Sequence, residues 1–330
     1  MLDMGRRRPL LEFLVRTETE RGRNAIDAVK ETLGKKIRRD KWLLLMFAPI
    51  FAYYVIFCYL PMPGVLIAFR DFTPGLGIFG GDWVGLRWLE QFVNSMYFGR
   101  LLRNTFLLAL YPLVFGFAVP ILFAVCVVEI KNRFFKGFTQ TVTYLPHFIS
   151  TVVIAGMIVN FLSPTDGVVN ELLVKYGHEK INFLMDPDWF RTIFTASGIW
   201  QSFGFSSIIY IAAITGIDQE MYDSGKIDGV NKYQELVHLT LPSIKPTIVM
   251  LLLLSIGGIM SVNFEKVYLL YNAATYETSD VISTYVYRQG IENKNFGFAT
   301  AVGLFNSVIS FALVYAANRI SRRVSEMSLW

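Results

Sequence analysis

Apolar residues in this chain come in runs too long for strands and too uniform for the one-sided face of a surface helix. Six runs stand out, at 42–60, 105–128, 143–162, 192–217, 246–268 and 299–318. Each holds about 20–25 residues, and a helix of that length crosses about 30 Å of hydrocarbon. The pattern predicts an all-α integral membrane protein with six transmembrane helices. An even number of spans puts both termini on one side. The charged region before the first run is about forty residues long, much longer than the n-region of a signal peptide, so 42–60 reads as a retained span.

Lys and Arg fix the side. With the N-terminus inside, the inner segments 1–41, 131–137, 218–245 and 319–330 hold 21 Lys and Arg, and the outer segments 61–103, 163–191 and 269–298 hold nine. This bias predicts cytoplasmic N- and C-termini. The organisation expected is a basic cytoplasmic tail, 1–41, and a six-span domain, 42–330. Within the tail, Ile26, Val29, Leu33 and Ile37 recur at helical spacing over Ala25–Arg39, which suits either a helix on the membrane surface or a mobile basic tail. Pro112, Pro120, Pro146 and Gly257-Gly258 interrupt the spans, as membrane helices tolerate when neighbours pack closely. The 61–103 segment, rich in Gly with Trp83 and Trp88, reads as irregular structure at the membrane surface.

Composition agrees. Of 330 residues 53% are hydrophobic and 17% charged, against roughly a quarter charged in soluble domains. The net charge of +5 resides in the tail, with twelve Lys and Arg against seven acids in 1–41, so it points to anionic lipid and not to nucleic acid. Cys58 and Cys126 read as small hydrophobic core residues. His147, His178 and His238 are scattered and form no ligand cluster; no metal is expected. Asp71 and Asp82 read as solvated or ion-paired loop carboxylates.

The most informative stretch is 218–245. Residues 219–227 suit a short helix, Asp228-Gly229 is a turn, and Asn231 can cap a second helix through about Leu239 that Leu241-Pro242 ends. A helix–turn–helix carrying Tyr222, Ile227, Tyr233, Leu236, Val237 and Leu239 is too apolar for a free loop and suits docking into a partner.

This stretch resembles the EAA loop of permease subunits in binding-protein-dependent (type I) ABC importers. Glu220, Met221 and Tyr222 lead into Asp223-Ser224-Gly225 at the E-A-A position, Asp228-Gly229 stands at the D-G, and Leu239-Thr240-Leu241-Pro242 at the closing I-T-L-P. Gly225 departs from alanine and should cost its helix up to about 1 kcal/mol. Tyr59-Leu60-Pro61-Met62, Ile67–Asp71, Asp82–Leu86, Tyr144–Ser150, Asn263–Tyr268, Tyr285–Arg288, Ala301–Asn306 and Ser328-Leu329-Trp330 are similar to the polysaccharide- and oligosaccharide-import branch. The resemblance implies a permease subunit in a bacterial cytoplasmic (inner) membrane. Its implied partners are membrane lipid, a second homologous permease, two copies of an ABC ATPase and an external solute-binding protein. The implied substrate is an oligosaccharide, for which an alginate or uronate fragment is one candidate. The loop, with Glu220, Tyr222, Asp223, Ser224, Gly225, Asp228, Gly229, Leu239, Leu241 and Pro242, would couple to the ATPase.

No Gly-x4-Gly-Lys-Ser/Thr phosphate loop occurs: Gly225-Lys226 is followed by Ile227, and position 220 is Glu. The chain is therefore expected to be no enzyme and to hold no cofactor, with ATP and Mg on the partner ATPase. Polar and aromatic residues at one depth in the outer half of the spans suggest a sugar pathway: Tyr53, Tyr54, Trp200, Gln201, Asn263, Glu265 and Asn306. Interhelical hydrogen bonds and an aromatic belt explain the same residues. A secondary transporter would need carboxylates near midplane, and a membrane glycosyl transferase an acid/base or metal constellation. Neither pattern is present, and neither would use the docking-type loop.

Overall fold

The computed structural model describes residues 38–258, 260 and 262–325. Most of Ala25–Arg39 and the Ser328-Leu329-Trp330 end lie outside the described residues. These are helical almost throughout, without a β-strand; one antiparallel bridge joins Arg70 to Trp83. The chain divides into two units after Gly64.

In the first unit, α1 (Lys41–Tyr54) continues into a wide π turn, Val55–Tyr59. No residue of α1 is buried, although nearly all are apolar, as suits a helix meant for lipid or for a partner. Its Tyr53 and Tyr54 rings meet edge to face at 5.8 Å.

The second unit holds α2 (Arg87–Val93), α3 (Phe98–Glu129), α4 (Arg133–Tyr144), α5 (Thr151–Phe161), α6 (Val168–Lys175), α7 (Pro187–Thr215), α8 (Gln219–Ile227), α9 (Lys232–Gly257), α10 (Phe264–Leu270), α11 (Tyr276–Ser279), α12 (Ile282–Tyr287) and α13 (Phe296–Ser325). Five helical stretches are long and apolar enough to span: Lys41–Phe69, Phe98–Glu129, Pro187–Thr215, Lys232–Gly257 and Phe296–Arg322.

The third and fifth spans depart from the sequence reading. The 143–162 run is no straight rod. Arg133–Phe148 and Thr151–Phe161 form a pair bent by 98°. Pro146 sits in the 3-10 turn Leu145–Phe148 that closes the first piece, and Ser150 starts the second by accepting a hydrogen bond from the Val153 amide at 3.4 Å. The fifth span is Lys232–Gly257, not 246–268. Gly257-Gly258 ends it, and Asn263 caps the separate α10, its Oδ1 accepting from the Lys266 amide at 3.0 Å.

The second helix of 218–245 also departs from expectation, because it does not stop at Pro242. A π segment, Glu235–Thr240, joins Lys232–Gln234 to Leu241–Gly257 as one rod. A proline lacks the N–H and crowds the carbonyl four residues back; the wider π turn just before Pro242 gives the ring room. Ser243 Oγ donates to the Leu239 carbonyl at 2.7 Å and satisfies an acceptor there.

The 61–103 segment is ordered around its bridge. Phe69 stacks on Trp83 at 5.6 Å, Val84 N–H donates to Phe69 O at 2.9 Å, and Trp88 Nε1 donates to Arg70 O at 3.0 Å. Arg70 donates to the carbonyls of Phe79 and Gly81. Gly297 of α13 passes so near that a Cβ would lie 2.9 Å from Arg70 O and from Trp88 Nε1. Cys58 and Cys126 are both exposed and not core residues, being on apolar helix faces that this chain leaves uncovered.

Helices α3 and α7 form the central pair. Gly116 of α3 lets Ile199 approach, a Cβ there being 3.6 Å from its Cγ1. A buried polar knot ties this pair to the 276–288 segment. Asn104 donates to the carbonyls of Glu277 at 3.0 Å and Asp280 at 3.1 Å, and accepts from Arg191 at 3.0 Å. The Asp280 carboxylate, fully buried, accepts from Arg288 at 2.9 and 2.7 Å, from Thr284 at 2.8 Å and from Arg100 at 3.5 Å.

Candidate functional site

Two places combine shape with exposed chemistry: the 218–245 segment and a cleft walled by α3, α7, α9 and α10.

In the first, Asp218 caps α8 by accepting from the Glu220 amide at 3.0 Å. The helix closes in a Schellman turn. Val230 N–H reaches Gly225 O at 2.9 Å, Gly229 N–H reaches Lys226 O at 3.1 Å, and Gly229 adopts φ of +75°. Asn231 then starts the next helix with a reciprocal cap to Gln234, both bonds 2.9 Å. Gly225 is buried because α8 lies against the π segment; a Cβ there would sit 2.9 Å from Leu239 Cδ1. The cost to helix propensity expected from Gly225 thus accompanies a close approach. Tyr222 Oη and Thr240 Oγ1 meet at 3.1 Å. Lys226 and Gln219 hydrogen-bond the Asp223 carboxylate and hold its pKa below the ordinary value.

Glu220, Asp223, Ser224, Asp228, Gly229 and Pro242 are exposed, whereas Leu239 and Leu241 are half-buried inside the unit. Ile227 and Tyr233, on either side of the turn, are 87% and 73% exposed. The turn therefore presents apolar side chains outward on a rigid frame. Tyr222→Phe would leave the buried Thr240 hydroxyl without this partner. It is expected to destabilise the α8 docking by about 1 kcal/mol, read as faster amide exchange in α8.

The second place is a cleft of about 830 Å³. One face of α7 supplies Phe194, Gly198, Gln201, Ser202, Phe205 and Ile209, spaced at three and four residues. Pro112, Leu113 and Phe117 of α3 form an apolar wall. Ser255, Asn263 and Lys266 close it from the α9–α10 side. Gln201 Nε2 donates to Ile149 O at 3.1 Å, which leaves its Oε1 as an acceptor. Phe205 stacks on the exposed His147 ring at 4.0 Å.

Of the sequence-proposed pathway residues, Gln201 and Asn263 line this cleft together. Trp200 and Glu265 do not, and both are exposed. Asn306 lines a different cleft of about 700 Å³, with Phe264, Tyr287 and Gly303. Tyr53 and Tyr54 belong to the first unit. The residue that sequence reasoning passed over is Lys266. It is 2% exposed, and its Nζ donates to Phe194 O at 3.0 Å. The signal was available: on a helix beginning at Asn263, neighbours 265 and 266 project about 100° apart.

Comparison with known proteins bears on both places. Residues 116–326 match the family model described as binding-protein-dependent transport system inner membrane component. The chain belongs to that family. Its relatives include the polygalacturonan/rhamnogalacturonan transport system permease protein YteP of Bacillus subtilis (strain 168), 40% identical over 93% of this chain and 97% of that one. Among solved structures, a chain of a bacterial ABC transporter involved in the import of the acidic polysaccharide alginate superposes with a TM-score of 0.83 and 42% identity, covering 89% of this chain and 99% of its own. A second structure, of bacterial alginate ABC transporter in complex with alginate pentasaccharide-bound periplasmic protein, gives 0.83 and 41% over the same shares. The six-run, all-helical architecture read from the sequence is thus that of an ABC importer permease, a multi-pass membrane component.

Proposed function

We propose that this permease forms half of the translocation pathway of an ATP-driven importer of acidic oligosaccharides and is driven through its 218–245 segment by a separate ATPase. The complete importer would pair it with a second homologous permease, two ATPase copies and an external solute-binding protein. It would lie in the bacterial inner membrane with both termini cytoplasmic. ATP and Mg would bind on the ATPase, and this chain would carry no catalytic residue.

The observation that carries the coupling role is the capped helix–turn–helix at Gln219–Gln234. It holds Ile227 and Tyr233 out from a turn fixed by Gly229. Apolar side chains on a rigid frame suit burial in a partner's cleft. Support for the substrate class comes from the uronide-handling relatives and from a cleft with aromatic rings beside polar groups, the two surfaces that a sugar presents.

Gly229→Pro tests this reading. Proline requires φ near −65° and removes the N–H that reaches Lys226 O, so the Schellman turn opens. In the assembled importer, binding protein loaded with galacturonate or alginate oligomers is expected to stimulate ATP hydrolysis by the parent. The variant is expected to lose that stimulation about tenfold or more, or to fail to retain the ATPase. Parent-level stimulation in Gly229→Pro, or uptake by this chain without any ATPase, would remove the coupling role.

A further inference from the structure

We infer that the Lys266 ammonium is a binding group for a sugar carboxylate passing through the α3–α7–α10 cleft. The inference rests on the reading of this chain as a permease for acidic oligosaccharides and assigns the charge recognition to one side chain.

Lys266 is an amine with donors to spare. An ammonium carries three N–H donors. One reaches Phe194 O at 3.0 Å, a carbonyl that the Ser197 hydroxyl also approaches at 3.3 Å. No salt bridge to Lys266 occurs among the described residues, and its carboxylate neighbour in sequence, Glu265, is exposed. Among the described residues Lys266 is the one charged side chain lining the cleft. A buried cation without an anionic partner is costly, and burial lowers the Lys266 pKa to about 8; an anion brought into the cleft would supply the missing counter-charge and favour the ammonium.

The surroundings are shaped around that amine. Gly198 leaves it room, since a Cβ there would lie 3.4 Å from Nζ. The Phe194 ring sits 5.1 Å from Nζ, a contact that favours the charged form of the side chain. Asn263 spends its Oδ1 on the α10 cap and keeps its amide donors, while Gln201 keeps its Oε1. Donors and acceptors for sugar hydroxyls therefore stand beside a single positive charge. The anion of an acidic oligosaccharide is its ring carboxylate. A carboxylate against the two free N–H donors would complete the shell of Nζ and neutralise it. One such contact along a chain of repeating uronates would hold each sugar briefly, as a pathway requires, without trapping it.

The test uses the whole importer in proteoliposomes, with galacturonate and alginate tetramers delivered on saturating binding protein. Lys266→Met and Lys266→Gln are expected to lower maximal uptake about tenfold or more, while the concentration of loaded binding protein giving half-maximal rate stays within about twofold. Lys266→Arg, which keeps the charge, should recover uptake to within about threefold of the parent. A fold-supporting cation would show as lost assembly in the neutral variants, whereas a binding role predicts that Lys266→Met and Lys266→Gln assemble normally and lose only uptake. Parent-level uptake in either neutral variant overturns the Lys266 assignment and leaves the importer reading intact. Assembly lost in both neutral variants but kept in Lys266→Arg also overturns it, since the cation would then serve the fold. A parent importer driven by neutral oligosaccharides and indifferent to both uronates overturns the acidic-substrate reading, and the Lys266 role with it.

Discussion

Asp280→Asn is expected to destabilise the permease by about 3–5 kcal/mol, the usual result of removing one partner from a buried ion pair. The carboxylate is fully buried and receives both Arg288 nitrogens, the Thr284 hydroxyl and, at longer range, Arg100. Asparagine keeps the size and one acceptor but leaves two guanidinium groups facing each other without their anion. The damage should spread, because Asn104 binds the carbonyls of Asp280 and Glu277 and also holds Arg191 at the start of α7. The knot therefore fastens α3, α7 and the 276–288 segment together. The measurement is thermal unfolding of the purified complex in detergent. A change below about 1 kcal/mol would show that the knot is dispensable. The double variant Asp280→Asn, Arg288→Met should recover part of the loss, since it removes the stranded cation. Full recovery is not expected, because the Arg288 guanidinium also lies 4.8 Å from the Tyr276 ring and 5.8 Å from those of Tyr271 and Tyr285.

Gly204→Ala should be nearly as damaging, for a steric reason. A Cβ at 204 would lie 2.1 Å from Thr143 O and 2.6 Å from its carbonyl carbon. The obstacle is backbone, so no rotamer change relieves it, and α4 must retreat from α7. Overpacking of this kind costs about 1–3 kcal/mol, and more where backbone must move. Gly116→Ala is the matched control. It adds the same methyl to the facing helix, where the nearest atom is Ile199 Cγ1 at an ordinary 3.6 Å. Helix propensity then favours the alanine by up to about 1 kcal/mol. Thermal unfolding of the two variants should move in opposite directions. Similar behaviour would mean that the α4–α7 contact is looser than its geometry implies.

The spans were legible because runs of about twenty apolar residues have few other uses. Their interruptions were harder to read, because average hydropathy hides local chemistry. In 246–268 the apolar character continues through Val262, Phe264 and Val267, and it masked Gly257-Gly258 followed by Asn263, a stop and a cap. In 143–162 Pro146 and Ser150 carried the same message. Local rules served better in 218–245, where the α8 bounds, the Gly229 turn and the Asn231 cap all follow from residue type. They misled at Pro242, where a π segment against which α8 packs carries the helix through. The cleft was half legible. Gln201 and Asn263 are polar residues in apolar stretches and stand out, but which of Glu265 and Lys266 turns inward depends on where α10 begins. That starting point was hidden while the fifth span was read as one piece.

The π segment between Gln234 and Leu241 has a mechanical meaning. A π turn stores about one residue more than an α turn, so relaxing it to α geometry would twist everything before it by about 100° relative to the span. Under the proposed coupling role, the rod Lys232–Gly257 would act as a shaft with a slip coupling near one end, and the turn carrying Ile227 and Tyr233 would be its handle. Torque applied at the handle can be taken up at Glu235–Thr240 or passed on to Ser255 and the cleft. Spin labels at Tyr233 and Ser255 would report the two cases differently: a changed separation means the coupling slipped, and an unchanged one means the shaft turned whole.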